Sequence, residues 1–198
     1  MNKGIIVMAL AALFTLPAMG QNNFKLGIDQ SLGIGFGAGP TVFSSTSGVA
    51  EYTIADLFVV GAGAGIRFGL MTERYNLDTK KRNSNLEFDL PIFARAGVKY
   101  SIVSAKLDVG YSIGLLAFNL GSLLPGNAGV PKRFAGFFLE PHIDLTAGSH
   151  SLGVGLLLQN GSYQQKKTVT AADGSVSENV ETLNRMIPAL TLRYAHSF

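Results

Sequence analysis

The chain has 198 residues, of which 47% are hydrophobic and only 15% are charged, so its composition excludes a disordered chain. It contains no Cys, which excludes disulfides, thiol catalysis and Cys-ligated metal sites. The net charge is +3, but the longest basic block is Lys80-Lys81-Arg82, so we do not expect nucleic acid as a partner. The length suits a single domain.

The N-terminal segment has the plan of a secretory signal peptide. A single lysine precedes an apolar run over residues 4–16, and small residues occupy the −3 and −1 positions before Gln21. The run is shorter than the ~20 apolar residues that a membrane anchor needs. We therefore predict a signal peptide over residues 1–20, cleaved between Gly20 and Gln21, and an exported domain over residues 21–198.

After this segment the hydrophobic pattern has a period of two. From Glu87 onward, for example, the even positions from Phe88 to Tyr100 are apolar, whereas four of the odd positions are charged. Side chains alternate across a β-strand, so each such segment has one apolar and one polar face. The pattern predicts strands near residues 24–36, 42–54, 58–69, 87–100, 106–117, 135–146, 151–159 and 185–198.

The second of these strands is the least regular. Ala50, Tyr52 and Ile54 alternate with polar residues, but the stretch from Ser44 to Gly48 is rich in Ser and Gly and is predicted to be loop. With this segment the chain has eight strands. An even number is expected of a bacterial outer-membrane barrel.

The connections between the predicted strands alternate in length. Short turns are predicted at residues 55–56, 101–105 and 148–150, and long polar loops at residues 71–85, 121–133 and 166–182. Short turns at one end and long loops at the other are typical of outer-membrane barrels. We therefore predict an all-β fold, an eight-stranded antiparallel up-and-down transmembrane β-barrel.

The polar face of the strands carries charges of both signs. A soluble sandwich would bury its apolar face, but a transmembrane barrel would enclose these charges in its lumen, where they must pair. Glycines on the same face would leave room for long Arg and Lys side chains. The predicted lumen charge network comprises Lys25, Asp29, Arg67, Glu87, Asp89, Arg95, Lys99, Lys106, Asp108, Glu140, His142, Asp144 and Arg193, with Arg185 on the same face.

The last nine residues carry a family resemblance. Leu190, Leu192, Tyr194 and Phe198 alternate up to a terminal aromatic residue. With the signal peptide and the alternating strands, this ending resembles small outer-membrane β-barrels of the OmpA/OmpX type, PorT-like barrels included. The resemblance implies that these four residues form the C-terminal signal read by the outer-membrane assembly machinery. His196 departs from the apolar residue usual in that motif.

Two sets of polar residues suggest chemistry. Glu140, His142 and Asp144 share one strand face and could form a metal site or a proton-transfer pair. A salt-bridge network with neighbouring Arg and Lys residues explains them better, because strand residues two apart cannot chelate one ion compactly. His196 and Ser197 suggest the lipid A deacylase barrels. In that family the His and Ser share a face, whereas these two neighbours face opposite ways.

The function classes that remain are a non-enzymatic barrel acting through its extracellular loops, an accessory barrel in secretion or envelope assembly, and, with least support, a lipid-modifying enzyme. The basic residues Lys80, Lys81, Arg82, Lys166 and Lys167 suit lipopolysaccharide headgroups. We expect outer-membrane lipid, lipopolysaccharide and the assembly machinery as partners, a monomer, and no cofactor. Eight strands leave a lumen filled by side chains, so a diffusion pore is not expected.

Two adjacent leucines test the strand register. Alternation places Leu156 on the lipid face and Leu157 in the lumen. We therefore expect Leu156→Arg to be costly and Leu157→Gln, in a lumen built for polar groups, to be milder.

Overall fold

The computed structural model describes residues 23–36, 40–74, 82–120, 136–170 and 174–198. The predicted signal peptide and its cleavage site at Gly20 and Gln21 lie outside these ranges, as do Lys80 and Lys81 of the basic cluster. Within the described residues, no helix is long and apolar enough to cross a membrane.

Eight strands close into one barrel in which every strand pairs with its neighbours in the chain and the last pairs with the first. All eight pairings are antiparallel. The prediction of an all-β, eight-stranded antiparallel up-and-down barrel is therefore confirmed. The strands are β1 (Phe24–Phe36), β2 (Pro40–Ile54), β3 (Phe58–Arg74), β4 (Arg82–Tyr100), β5 (Val103–Asn119), β6 (Gly136–Ala147), β7 (His150–Thr170) and β8 (Val176–Ser197).

The predicted loop inside the second strand is wrong. The stretch from Ser44 to Gly48 lies in the middle of β2, paired with β1 on one side and β3 on the other. Its outward positions Ser44, Thr46 and Gly48 are not apolar, which hid the period of two from the sequence analysis. Two complete neighbouring strands supply hydrogen bonds to β2, and these outweigh its weak pattern.

Strand β5 contains an irregularity that the sequence analysis missed. The pairing with β4 shifts between Phe88 and Asp89, so that Leu115 has no partner of its own and both it and Leu116 face outward. Such a β-bulge inserts one residue and reverses the facing of everything after it. Ala117, predicted on the outer face, therefore lies on the inner face, and Phe118 takes its place outside.

The strands are longer than predicted at the end opposite the start of β1 and the end of β8. Strand β7 continues to Thr170 and β8 begins at Val176, so most of the predicted loop 166–182 is strand. Strands β3 and β4 likewise reach into the predicted loop 71–85. The connections at this end are residues 37–39, 75–81, 120–135 and 171–175, of which 37–39, 75–81, 121–135 and 171–173 lie outside the described residues. At the other end, residues 55–57, 101–102 and 148–149 form tight turns.

The two faces of the wall have opposite character. Large apolar side chains on every strand are exposed on the outside. Every Asp, Glu, Lys and Arg on a strand whose side chain the structure describes lies on the inner face: Lys25, Asp29, Glu51, Arg67, Glu87, Asp89, Arg95, Lys99, Lys106, Asp108, Glu140, Asp144 and Arg193. A soluble sandwich would have the reverse arrangement.

Glycines on the inner wall make room for aromatic rings as well as for the long basic side chains that the sequence analysis predicted. A Cβ atom on Gly33 would overlap the ring of Phe43, its partner in β2, and one on Gly63 would overlap the ring of Phe93, its partner in β4. A Cβ atom on Gly97, by contrast, would press on the Lys106 stem. The small cross-section of an eight-stranded barrel explains this pairing of glycines with large side chains.

Candidate functional site: the barrel interior

Arg95 lies at the centre of a buried ion network, in the half of the lumen where β1 begins and β8 ends. Its guanidinium donates to both carboxylate oxygens of Asp108 at 2.6 and 2.7 Å, to Asp29 at 2.7 Å and to Glu51 at 2.7 Å. These partners come from β5, β1 and β2, so one side chain on β4 joins four strands. Arginine suits this position because its planar fork presents several donors in fixed directions.

Arg193 on β8 extends the same network across the point where the barrel closes. It donates to Asp29, which Arg95 also contacts, and lies 2.7 Å from Glu140 and 3.3 Å from Asp108. The Thr191 hydroxyl donates to Glu140 at 2.8 Å, so this buried carboxylate has two partners. Because β8 meets β1 here, the Arg193–Asp29 contact connects the last strand to the first.

His142 and Lys106 complete the network on the β5–β6 side. The Nδ1 atom of His142 lies 3.0 Å from Asp144, and its Nε2 atom lies 3.5 Å from Asp108. Lys106 lies 2.9 Å from Glu51 and 3.4 Å from Asp144. Every carboxylate of the network therefore has at least one positively charged or hydrogen-bonding neighbour, which buried charges require.

Lys25 and Lys99 lie at the mouth of the barrel, beyond this network. They line a cavity of about 50 Å³ together with Glu51, Ser104 and Lys106. This volume holds a few water molecules, since one water needs roughly 10–15 Å³ of such space. The two lysines that the sequence analysis assigned to the network thus lie at its edge, beside this cavity.

The lumen also contains a cluster of buried apolar side chains, which the sequence analysis did not predict. They come from β2, β3, β4, β6, β7 and β8, and the set comprises Phe43, Val49, Met71, Phe93, Phe138, Leu157, Ile187 and Ala189. The rings of Phe93 and Phe138 pack edge to face with centroids 6.3 Å apart. These residues hold inner-face positions, so the period of two could have revealed the cluster. An apolar residue on the polar face was the available signal.

Arg67 lies against this apolar cluster. Its guanidinium carbon lies 5.3 Å from the Phe43 ring centre and 5.4 Å from that of Phe138, both within cation–π range. It donates to Gln159 at 2.8 Å, and Asp89 and Glu140 are its charged neighbours. Glu87 is also buried in this part of the lumen. Arg67, Glu87 and Asp89 thus form an upper charged group, which meets the Arg95 network at Glu140.

Glu140, His142 and Asp144 do not converge on one point. Glu140 contacts Arg193 and Thr191, whereas Asp144 contacts His142 and Lys106. In the part of the chain that the structure describes, no group of three or more His, Cys, Asp or Glu residues is placed to hold a metal ion. The arrangement holds strands together and fills the lumen.

Glu51 is the network member that the sequence analysis left out of its set. It bonds to both Arg95 and Lys106. The alternation of residues 50–54 already indicated its inner-face position. Glu51 was omitted because the preceding residues 44–48 were predicted to be loop, which made the strand uncertain. The predicted network member Arg185 has a side chain outside the described set.

The four residues of the predicted C-terminal signal, Leu190, Leu192, Tyr194 and Phe198, are exposed on the outer wall. His196 lies between the last two, with its ring 5.0 Å from that of Phe198. The C-terminal segment is therefore an apolar and aromatic stripe beside β1 and β7.

No protein-family model matches the sequence, and no curated protein is significantly similar to it. Among solved structures, Neisserial surface protein A is 14% identical, covers 88% of this chain and 97% of its own, and has a TM-score of 0.45. Outer membrane protein AlkL is 10% identical, with 89% and 90% covered and a TM-score of 0.47. A major outer membrane protein from Thermus thermophilus is 13% identical, with 88% and 99% covered and a TM-score of 0.39. The closed eight-stranded barrel of this chain agrees with the resemblance to small outer-membrane barrels that the sequence indicates.

Proposed function

We propose that the protein is an integral outer-membrane barrel with a non-enzymatic role, structural or in surface interaction. The observation that carries this proposal is the inverted wall: apolar side chains cover the outside, while the charges on the described strands lie inside. Contiguous apolar patches on soluble monomers rarely exceed a few hundred Å². A closed barrel also leaves no strand edge, which the hydrocarbon region of a bilayer requires.

The orientation follows from the connections. Outer-membrane barrels have short periplasmic turns and longer extracellular connections. The end with the turns at residues 55–57, 101–102 and 148–149, where β1 begins and β8 ends, would face the periplasm. The other end, with the connections at residues 75–81 and 120–135, would meet lipopolysaccharide or a protein partner. Export would use the signal peptide over residues 1–20.

The lumen supports a structural role better than a transport role. The Arg95 network and the apolar cluster around Phe138 together fill the interior. A lipid-modifying enzyme would need polar catalytic groups at the lipopolysaccharide end. Within the described ranges, most hydrogen bonds of the lumen side chains join different strands, and the His142–Asp144 bond lies within β6.

Four measurements test this proposal. The folded protein should stay in membranes during carbonate extraction, and unboiled protein should migrate differently from boiled protein in SDS gels. The N-terminus of the mature chain should be Gln21. Release by carbonate would overturn the membrane assignment. Mass spectrometry of lipid A and of co-purifying proteins, with and without the gene, separates the alternatives: altered lipid A would indicate an enzyme, and a secretion or assembly complex would indicate an accessory barrel.

A further inference from the structure

Two of the three histidines face each other where β7 begins and β8 ends. His150 and His196 are directly opposite in the register of these strands, and their ring centroids are 4.7 Å apart with the planes inclined by 40°. His150 is exposed and His196 is half-buried. Neither residue takes part in the lumen network.

Each ring has a nitrogen whose bonding is incomplete. The Nδ1 atom of His150 lies 2.8 Å from the Tyr194 oxygen. When Nδ1–H donates to that oxygen, the lone pair on Nε2 is free to bind an ion. The Nδ1 atom of His196 is buried and, among the residues the structure describes, has no hydrogen-bond partner. A buried nitrogen without a partner carries an energetic cost that a bound cation would remove.

We propose that His150 and His196 bind one divalent transition-metal ion, through Nε2 and Nδ1 respectively, and that Tyr194 orients the first ring. Metal–imidazole bonds are about 2.1 Å long, which puts each ring centre about 3.2 Å from the ion. Two such rings would have centres about 4.5 Å apart at a 90° ligand angle and about 5.2 Å apart at a tetrahedral angle. The observed 4.7 Å falls within this interval.

The ligand set favours particular ions. Imidazole nitrogens suit Cu²⁺, Ni²⁺ and Zn²⁺, whereas Mg²⁺ and Ca²⁺ prefer oxygen ligands. Two protein ligands leave the remaining positions to water, so the order of affinity should follow the general series, with Cu²⁺ tightest. The site lies at the end of the barrel with the tight turns, and His150 is open to solvent there.

An ion at this position would act as a clamp between β7 and β8. A ligand that binds only the folded chain raises its stability. The inference rests on the fold and on three side chains, so it stands independently of the proposed function. The competing explanation is that the rings are simply part of an aromatic rim together with Phe198.

The test is calorimetric titration of the untagged protein, folded in detergent micelles, with CuCl₂, NiCl₂, ZnCl₂ and MgCl₂. We expect one Cu²⁺ per chain, weaker binding of Ni²⁺ and Zn²⁺, and none of Mg²⁺. His150→Gln and His196→Gln should each weaken Cu²⁺ binding at least about tenfold, and Tyr194→Phe should weaken it by a smaller factor. His142→Gln changes the third histidine, in the lumen, and should bind Cu²⁺ like the parent chain.

A second readout is the urea midpoint of unfolding, which Cu²⁺ should raise in the parent chain but not in the double variant His150→Gln/His196→Gln. Mobility of unboiled samples in SDS gels shows whether each variant has folded. Equal Cu²⁺ binding by the parent and the double variant would overturn the proposal, as would one ion shared by two chains. Absence of binding would leave the rings as an aromatic rim only and would also overturn it, without affecting the membrane assignment.

Discussion

Arg95 is bonded to three carboxylates, each of which also lies near one other cation of the network, Arg193 or Lys106. Replacing it with Met would leave Asp29, Glu51 and Asp108 in the lumen without their principal partner. Breaking a buried ion pair in this way typically costs 3–5 kcal/mol. We therefore expect Arg95→Met to lower the free energy of unfolding by about 3–5 kcal/mol in urea titrations of the protein in lipid vesicles.

Lys99 provides the matched control. It occupies the same strand and face as Arg95, nearer the mouth, but it lines the cavity instead of joining the network. Lys99→Met should change the unfolding free energy by less than about 1 kcal/mol. Equal losses for both variants would show that the charges act as a diffuse field and not as specific pairs.

Leu156 and Leu157 face opposite ways, as the alternation predicts, but their surroundings differ from the expectation. Leu157 is fully buried within the apolar cluster of the lumen, and Leu156 is exposed on the outer wall. The expectation that Leu157→Gln is mild assumed a polar lumen, and that premise is wrong, because the amide would enter a cluster of Phe, Ile and other apolar side chains. Leu157→Gln should now be costly, by about 1–3 kcal/mol for the unpaired amide in addition to lost packing.

Leu156→Arg tests the outer wall at the neighbouring position. A charge near the middle of the bilayer costs ~2–4 kcal/mol in barrels of this kind. Ala, Gln and Arg should each be placed at both positions, and folding into vesicles measured for every variant. The comparison distinguishes a lipid-facing side chain from one in the lumen. Truncation to Ala should cost about 2–5 kcal/mol at position 157, where a cavity forms, and less at position 156. The reverse order would contradict the register.

At the scale of single strands, glycines determine where a large side chain of the neighbouring strand can pack against the backbone. A Cβ atom on Gly63 of β3 would overlap the Phe93 ring on β4, whereas one on Gly48 of β2 would meet no atom within 4 Å. We expect Gly63→Ala to cost about 1–3 kcal/mol through overpacking. Gly48→Ala should be neutral or stabilise by up to about 1 kcal/mol, since Ala restricts the unfolded chain. Urea unfolding of both variants measures the contrast.

A second substitution checks the cause of the Gly63 effect. Replacing Phe93 with Leu removes the ring that the new methyl group would strike. The cost of Gly63→Ala should therefore be smaller in a Phe93→Leu background, and the double-mutant cycle gives the coupling between the two sites. An unchanged cost would assign the effect to the backbone instead.

The sequence predicted seven strands well because each had a clear apolar outer face. It failed for β2 because Ser44, Thr46 and Gly48 face outward there, and only the closed pairing with two neighbours makes that segment a strand. It failed for the end of β5 because a bulge depends on the partner strand, which alternation within one strand does not reveal. The sequence predicted which way side chains face but not what they contact. It placed Arg95 and Arg67 on one face without showing that Arg95 bonds to three carboxylates, whereas Arg67 lies against two aromatic rings.

At the scale of the whole molecule, the filled interior predicts a barrel that does not conduct ions. The ion network and the apolar cluster fill the lumen, and the cavity of about 50 Å³ lies at the mouth. Planar-bilayer recordings of the purified protein should show no stable conductance steps of porin size. Large, long-lived steps would mean that the lumen opens and would contradict a filled interior.

The unequal lengths of the strands determine which backbone amides are protected from hydrogen exchange. Strand β7 pairs with β6 only as far as Gln159, and β8 pairs with β1 only from Ala189 onward, yet β7 and β8 pair with each other out to Thr170 and Val176. In the described residues, their outer portions thus form a two-stranded ribbon. Along such a ribbon, alternate amides point toward the partner strand and away from it. Hydrogen–deuterium exchange should therefore be uniformly slow for amides in the barrel wall but should alternate between slow and fast, residue by residue, along the ribbon.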